Sequence, residues 1–253
     1  MKAQIKYAFR TGLFLRVSAF GLITLMNITF ITLGSLGLLP FAAHITAVSL
    51  GGTAIAVMLA INIVCNVSIA SHMFSAPAAY MFALTPSPRW KLLLSSVISM
   101  LAADFVTMGG VIIGEVILSF NLAGNDITNT VWNAFVSMNA SAILYSLLMI
   151  LLMLACYLFF IMVILFGVTL NKSILYKKPV SGLLALISAC VCVYIGSLLN
   201  LALAPFGSIF TYGMFIVISV GLPGLALSVL LYILQTAALF VITSKLMERK
   251  INI

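Results

Sequence analysis

The sequence predicts an all-α integral membrane protein: about six transmembrane helices preceded by an amphipathic helix lying on the membrane surface. Three observations carry this reading. Hydrophobic residues make up 64% of the chain and charged residues 6%, against about 25% charged in an ordinary soluble domain, and the mean hydropathy is +1.30. The apolar residues gather into stretches long enough to cross a bilayer. Finally, every Lys and Arg falls in one of a few clusters: Lys2, Lys6, Arg10 and Arg16; Arg89 and Lys91; Lys172, Lys177 and Lys178; Lys245, Arg249 and Lys250. The same composition excludes a disordered chain, which needs low hydrophobicity and high charge.

At the N-terminus, Lys2, Lys6 and Arg10 recur every fourth position beside an apolar stripe of Ile5, Ala8, Phe9 and Leu13. This spacing predicts a short interfacial helix over 1–16. No cleaved signal peptide is expected, because the first apolar stretch is too long and begins only after residue 16. Spans follow near 17–40, 46–73, 92–120, 140–168, 180–203 and 214–243, forming a single membrane domain over 1–253. Lys and Arg are retained on the cytoplasmic side. Both termini and the loops around 74–91 and 169–179 are therefore assigned to the cytoplasm. The opposite loops, around 41–45, 121–139 and 204–213, hold only His44 and Asp126 among ionisable groups. The net charge of +8 thus belongs to topology, and no nucleic acid is expected as a partner.

Catalytic signatures are missing. The sequence holds no GxxxxGK[ST] phosphate loop, no HExxH and no GxSxG. His44 and His72 fall on opposite sides of the expected membrane, which prevents a shared metal site. Cys65, Cys156, Cys190 and Cys192 sit in apolar runs, where a thiol behaves as a small hydrophobe, and their spacing fits no disulfide or metal framework. The chain is expected to be neither an enzyme nor the holder of a cofactor or metal.

Two carboxylates interrupt the third span. Asp104 and Glu115 are eleven residues apart, close to three helical turns, so they share nearly one face. Counted along the helix from Lys91, Asp104 falls near the bilayer middle and Glu115 near its outer edge. With all Lys and Arg cytoplasmic, no basic partner is expected at that level. Asp104 is therefore expected to be protonated, hydrogen-bonded to Asn62 or Asn66, or facing a hydrated pathway. Asn62 and Asn66, one turn apart on the second span, suit interhelical hydrogen bonding, and Gly110 and Gly114 form a GxxxG helix-packing pair.

The cytoplasmic segment Ser75 to Lys91 has its own character. Ser75 caps a helix whose first turn accepts Pro77, and Pro86 ends it by about Leu84. The resulting helix, 76–84, carries Tyr80, Met81, Phe82 and Leu84, too apolar for water and too short to cross a bilayer. It lies in the headgroup layer or in a groove of a soluble partner. Arg89, Trp90 and Lys91 then anchor the third span at the interface.

At Leu84-Thr85-Pro86-Ser87-Pro88-Arg89-Trp90-Lys91 the sequence resembles the membrane permease subunits of ABC transporters of the ABC-2 type, mostly exporters. The ending from Phe240 through Lys245, Arg249 and Lys250 to Ile253 is similar to the close of such permeases. The resemblance implies the ABC-2 (type V) exporter fold in a bacterial cell membrane. It also implies a separate ATPase subunit that binds ATP and Mg, and a second permease, identical or homologous. By the same resemblance Tyr80, Met81, Phe82, Leu84 and Arg89 form the interface that couples to the ATPase. Asn62, Asn66, Asp104 and Glu115 are candidates to line a substrate path or to serve as polar packing. The sequence departs from the family at Ala78 and Ala79, where a charge is usual, and in the shortness of its last external segment, where Ala204 to Gly213 suits a short re-entrant turn. The alternative is an ATPase-independent secondary carrier or channel using Asp104 and Glu115. Gly221-Leu-Pro-Gly224 would supply a broken helix for such a carrier, with no counterpart in the first half. A membrane scaffold that only assembles other proteins is a third possibility.

Overall fold

A computed structural model describes residues 12–36, 43–72, 88–136, 139–173, 181–201, 209–212, 215–218 and 221–250. In chain order the elements are α1 (Leu13–Ser35), α2 (Ala43–His72), α3 (Arg89–Val136), α4 (Ala140–Ser173), α5 (Ser181–Leu201), strands β1 (Ile209–Tyr212) and β2 (Phe215–Ile218), and α6 (Gly221–Lys250). Among the described residues six helices are long and apolar enough to cross a membrane. Large apolar side chains such as Phe14, Leu22, Val106, Ile150 and Leu186 are exposed, the surface of a chain whose solvent is lipid. The protein is a multi-pass, essentially all-α membrane protein.

Several boundaries differ from those the sequence suggested, each for a physical reason. The first span starts at Leu13, so Arg16 belongs to its first turn and not to an interfacial helix over 1–16; residues 1–11 lie outside the described residues. Gly12 sets this start. Its φ of 80° is open to glycine at little cost, and a Cβ there would lie 3.2 Å from Cβ and Sγ of Cys65.

The third helix runs 48 residues, to Val136, and so covers most of the stretch expected to be the loop 121–139. Asn121, Asn125, Asn129 and Asn133 recur at four-residue spacing along it, the period of one helix face. The last span begins at Gly221 instead of 214, because β1 and β2 pair antiparallel with Tyr212 opposite Phe215. Ile209-Phe-Thr-Tyr212 and Phe215-Ile-Val-Ile218 are β-branched and aromatic, residues that suit strands, and Gly213-Met214 between them is a two-residue hairpin sequence. Gly221-Leu-Pro-Gly224 opens α6 and does not break it, since the first turn of a helix accommodates proline.

The chain forms two compact units. The first unit holds α1, α2 as far as Ile69 and α3 from Ile98. Its apolar core joins Ile23, Met58 and Val111, one residue from each helix, with Ala19, Phe20, Ala54, Ile55 and Met108 packed around them. Gly110 and Gly114 face α1: an added Cβ would sit 2.6 Å from the Phe20 ring at the first and 3.2 Å from Asn27 Nδ2 at the second. This is the close approach that glycine permits between membrane helices.

The second unit holds the hairpin, α4, α5 and α6, together with residues 70–97. Leu152, Phe159 and Met162 of α4 and Leu225, Val229 and Tyr232 of α6 are buried. The Phe159 and Tyr232 rings stand 5.7 Å apart at 56°, a tilted aromatic pair.

Candidate functional site

The first unit encloses a polar cluster built on Arg16. Three residues of apolar helix precede it in α1, yet Arg16, Asn62, Asn66 and Asp104 are each at most 1% exposed. A guanidinium is tolerated at such a place only when its donors are met. Arg16 Nη2 pairs with Asp104 Oδ1 at 2.6 Å and donates to Asn66 Oδ1 at 2.8 Å, while Nε donates to Asn62 Oδ1 at 3.2 Å. Asn66 Nδ2 then donates to Asp104 Oδ2 at 2.6 Å, so both oxygens of the carboxylate are engaged. Thr107, one turn beyond Asp104, accepts from Asn62 Nδ2 at 3.1 Å and donates to the Ala103 carbonyl at 2.9 Å. Arg16 Nη1 alone is buried with no partner among the described residues.

Helical spacing assembles the set. Asn62 and Asn66 are four residues apart on α2, and Asp104 and Thr107 three apart on α3, so each pair shares one helix face. The expectation that Asp104 has no basic partner is corrected here: Arg16 supplies one from the first turn of α1. The spacing of Lys2, Lys6 and Arg10 drew Arg16 into the surface helix. The signal against that was in the sequence, because Arg16 breaks the four-residue period and follows the apolar run Leu13-Phe14-Leu15.

Eleven residues along, Asn27 Nδ2 donates to Glu115 Oε1 at 3.1 Å. Arg16 to Asp104 and Asn27 to Glu115 have the same sequence separation, 88. Two contacts with equal offset mean that α1 and α3 run parallel and in register, as the first and third of alternating spans must. The register also sets which residues of the two helices are level with each other. Along α1, Asp104 is level with the first turn and Glu115 with Asn27, whereas within the apolar stretch Arg89–Leu118 of α3 Asp104 lies near the middle and Glu115 near the end.

The other expected site residues fall apart from this cluster. Tyr80, Met81, Phe82 and Leu84, with the 76–84 helix, lie outside the described residues. Arg89 opens α3 and is half-buried. After it, the Lys91 backbone N–H bonds the Pro88 carbonyl at 3.0 Å, and Lys91 Nζ stands 5.5 Å from the Trp90 ring centroid.

Chemically, the Arg16 cluster pairs one charge of each sign and ties three helices together, with Arg16 Nη1 its one polar atom that lacks a partner among the described residues. Among the described residues no group of three or more His, Cys, Asp or Glu gathers to hold a metal. Comparison of the chain with protein-family models, with curated proteins and with solved structures yields no match.

Proposed function

We propose that the chain is the permease subunit of an ATP-driven exporter of the ABC-2 type, with both termini in the cytoplasm. It couples a separate ATPase subunit to export and pairs with a second permease, identical or homologous. The observation that supports this over a self-powered carrier is the state of Asp104. A secondary carrier built on that carboxylate has to exchange its partners in every cycle, yet both oxygens already accept from Arg16 and Asn66. A carboxylate so held acts as a strut, and the energy for a transport cycle then comes from outside the chain.

In this reading, closure of two ATPases on ATP pushes the 76–84 helix. The push passes into α2 and α3, the helices that this segment joins in sequence, as a rigid-body shift. The α1–α3 set moves together because Arg16 links all three helices. The polar residues Asn62, Asn66 and Asp104 hold that body in one piece while cargo passes elsewhere.

The test begins with extraction of the chain from its native membrane in mild detergent and identification of what co-purifies. A stoichiometric cassette ATPase is expected; a homogeneous particle with no nucleotide-binding partner overturns the reading. The double variant Tyr80→Ala/Phe82→Ala is expected to insert normally while ATP hydrolysis proceeds without transport. Undiminished transport by that variant removes the coupling role of the segment.

A further inference from the structure

The second unit holds a polar set that the exporter reading does not use. On α5, Asn200 is fully buried and its Nδ2 donates to the Gly196 carbonyl at 3.0 Å; from α6, Gln235 Nε2 donates to that same oxygen at 3.3 Å. One carbonyl thus draws two side-chain amides together. Their own oxygens, Asn200 Oδ1 and Gln235 Oε1, are buried without a partner among the described residues. Gly196 makes the meeting possible, since a Cβ there would lie 3.0 Å from Gln235 Oε1 and 2.8 Å from the Phe159 ring.

Ser228 belongs to the same α6 face, being seven residues before Gln235, about two turns. It is fully buried and its hydroxyl has no partner among the described residues. Its neighbours on that helix behave differently. Thr236 and Thr243 settle their hydroxyls on the carbonyls of Tyr232 and Leu239, each at 2.7 Å. A serine inside a helix has the same recourse to the carbonyl four residues back, and Ser228 does not take it.

Unmet acceptors within a membrane span are strongly disfavoured, because hydrocarbon offers them no donor. Something must bring donors to Asn200 Oδ1, Gln235 Oε1 and Ser228 Oγ. The only carboxylate on α5 or α6 is Glu248, near the far end of α6, so the set lacks the acidic ligands that divalent cations select. Neutral carbonyls with a hydroxyl match a neutral donor, and water in a roomy polar cavity makes two to four such bonds. We propose that Asn200, Ser228 and Gln235 line a hydrated pocket between α5 and α6, which holds water and, in its place, small uncharged solutes bearing O–H or N–H groups. The proposal is independent of what powers the protein.

Cysteine accessibility in membrane vesicles tests it. With the native cysteines replaced by alanine, single variants Asn200→Cys, Ser228→Cys and Gln235→Cys are treated with 2-hydroxyethyl methanethiosulfonate, a small uncharged reagent bearing an O–H, which reacts with the thiolate that a thiol forms in water and not in hydrocarbon. Leu199→Cys, Leu230→Cys and Leu234→Cys, at exposed apolar positions, are the controls. Modification at least about tenfold faster at the three pocket positions is expected, since thiol reactivity follows access and ionisation; rates equal to the controls overturn the pocket. Because these variants alter the amides themselves, a second measurement keeps Asn200 and Gln235 intact. Cys192 lies one turn before Gly196 on its face and is compared, each retained alone, with the exposed Cys190. Faster reaction at Cys192 is expected, and equal or slower reaction overturns the pocket even where the engineered variants misfold. Glycerol then separates the two occupants: slower modification supports the solute, and an unchanged rate overturns the solute half and leaves water.

Discussion

The two units handle polar groups inside an apolar solvent in opposite ways. In the α1–α3 unit the buried polar residues include a full charge of each sign, and these face each other at 2.6 Å with Asn62 and Asn66 bonded to them. In the α4–α6 unit the buried polar residues are neutral amides and hydroxyls, and several of their atoms have no partner among the described residues. Charges in hydrocarbon are tolerated only when paired, and a paired set is rigid. Neutral groups cost less when left open, so they can be kept open for a guest. The contrast assigns scaffolding to the first unit and adaptable polar contact to the second.

The sharpest way to break that contrast is to remove one charge from the first unit. Asp104→Ala leaves Arg16 buried without its counter-ion, and Arg16→Ala leaves Asp104 likewise. Each is expected to destabilise by about 3–5 kcal/mol, whereas replacing both partners with apolar residues of similar volume is expected to be nearly neutral. Thermal unfolding of the detergent-solubilised singles and of Arg16→Met/Asp104→Leu checks this. If the double variant loses as much as the sum of the singles, the pair carries no coupling and the scaffold assignment falls.

That cluster also shows how far the sequence could be read. Asp104, Asn62, Asn66, Gly110 and Gly114 stood out because polar or very small residues are scarce in apolar spans, and scarcity is visible without a structure. Arg16 did not stand out, since a basic residue near an N-terminal run of Lys2, Lys6 and Arg10 looks like a fourth member. Which residue pairs with Asp104 depends on where α1 begins, and Gly12 decides that through a backbone angle and its approach to Cys65. The hairpin was hidden for another reason. A short apolar run such as Phe215 to Ile218 fits a strand or the start of a span equally well, and periodicity cannot separate them. In α3, the four-residue spacing of Asn121, Asn125, Asn129 and Asn133 was a helical signal inside the stretch expected to be a loop. The unmet oxygens at Asn200 and Gln235 were not legible at all, because they depend on two helices meeting at one carbonyl.

Gly12 offers a smaller perturbation of the same scaffold. Gly12→Ala forces a side chain into the left-handed region, which costs about 1–2 kcal/mol, and sets its Cβ at 3.2 Å from Cys65. A fall in melting temperature with retained insertion is expected from thermal unfolding. An unchanged melting temperature would mean that α1 does not start at this glycine, and the level at which Arg16 meets Asp104 would shift with it.

The mildest perturbation is at the other end of the α1–α3 register. Asn27 gives Glu115 a neutral donor at 3.1 Å, with no charge from α1 facing it. Single hydrogen bonds between membrane helices average about 0.6 kcal/mol and reach about 1.7 kcal/mol, because a separated helix also finds donors. Asn27→Leu is therefore expected to cost about 0.6 kcal/mol, far less than loss of Arg16. A double-mutant cycle of Asn27→Leu with Glu115→Leu, which removes the accepting oxygen, measures the coupling directly. A coupling near the average makes this contact a second staple of the scaffold, keeping α1 and α3 in register. A coupling well above about 1.7 kcal/mol exceeds what a bond between neutral groups supplies and places a charge on Glu115. Glu115 would then be the carboxylate a carrier could use, at a level nearer the middle of α1 than Asp104, and the strut argument made for Asp104 would not cover it.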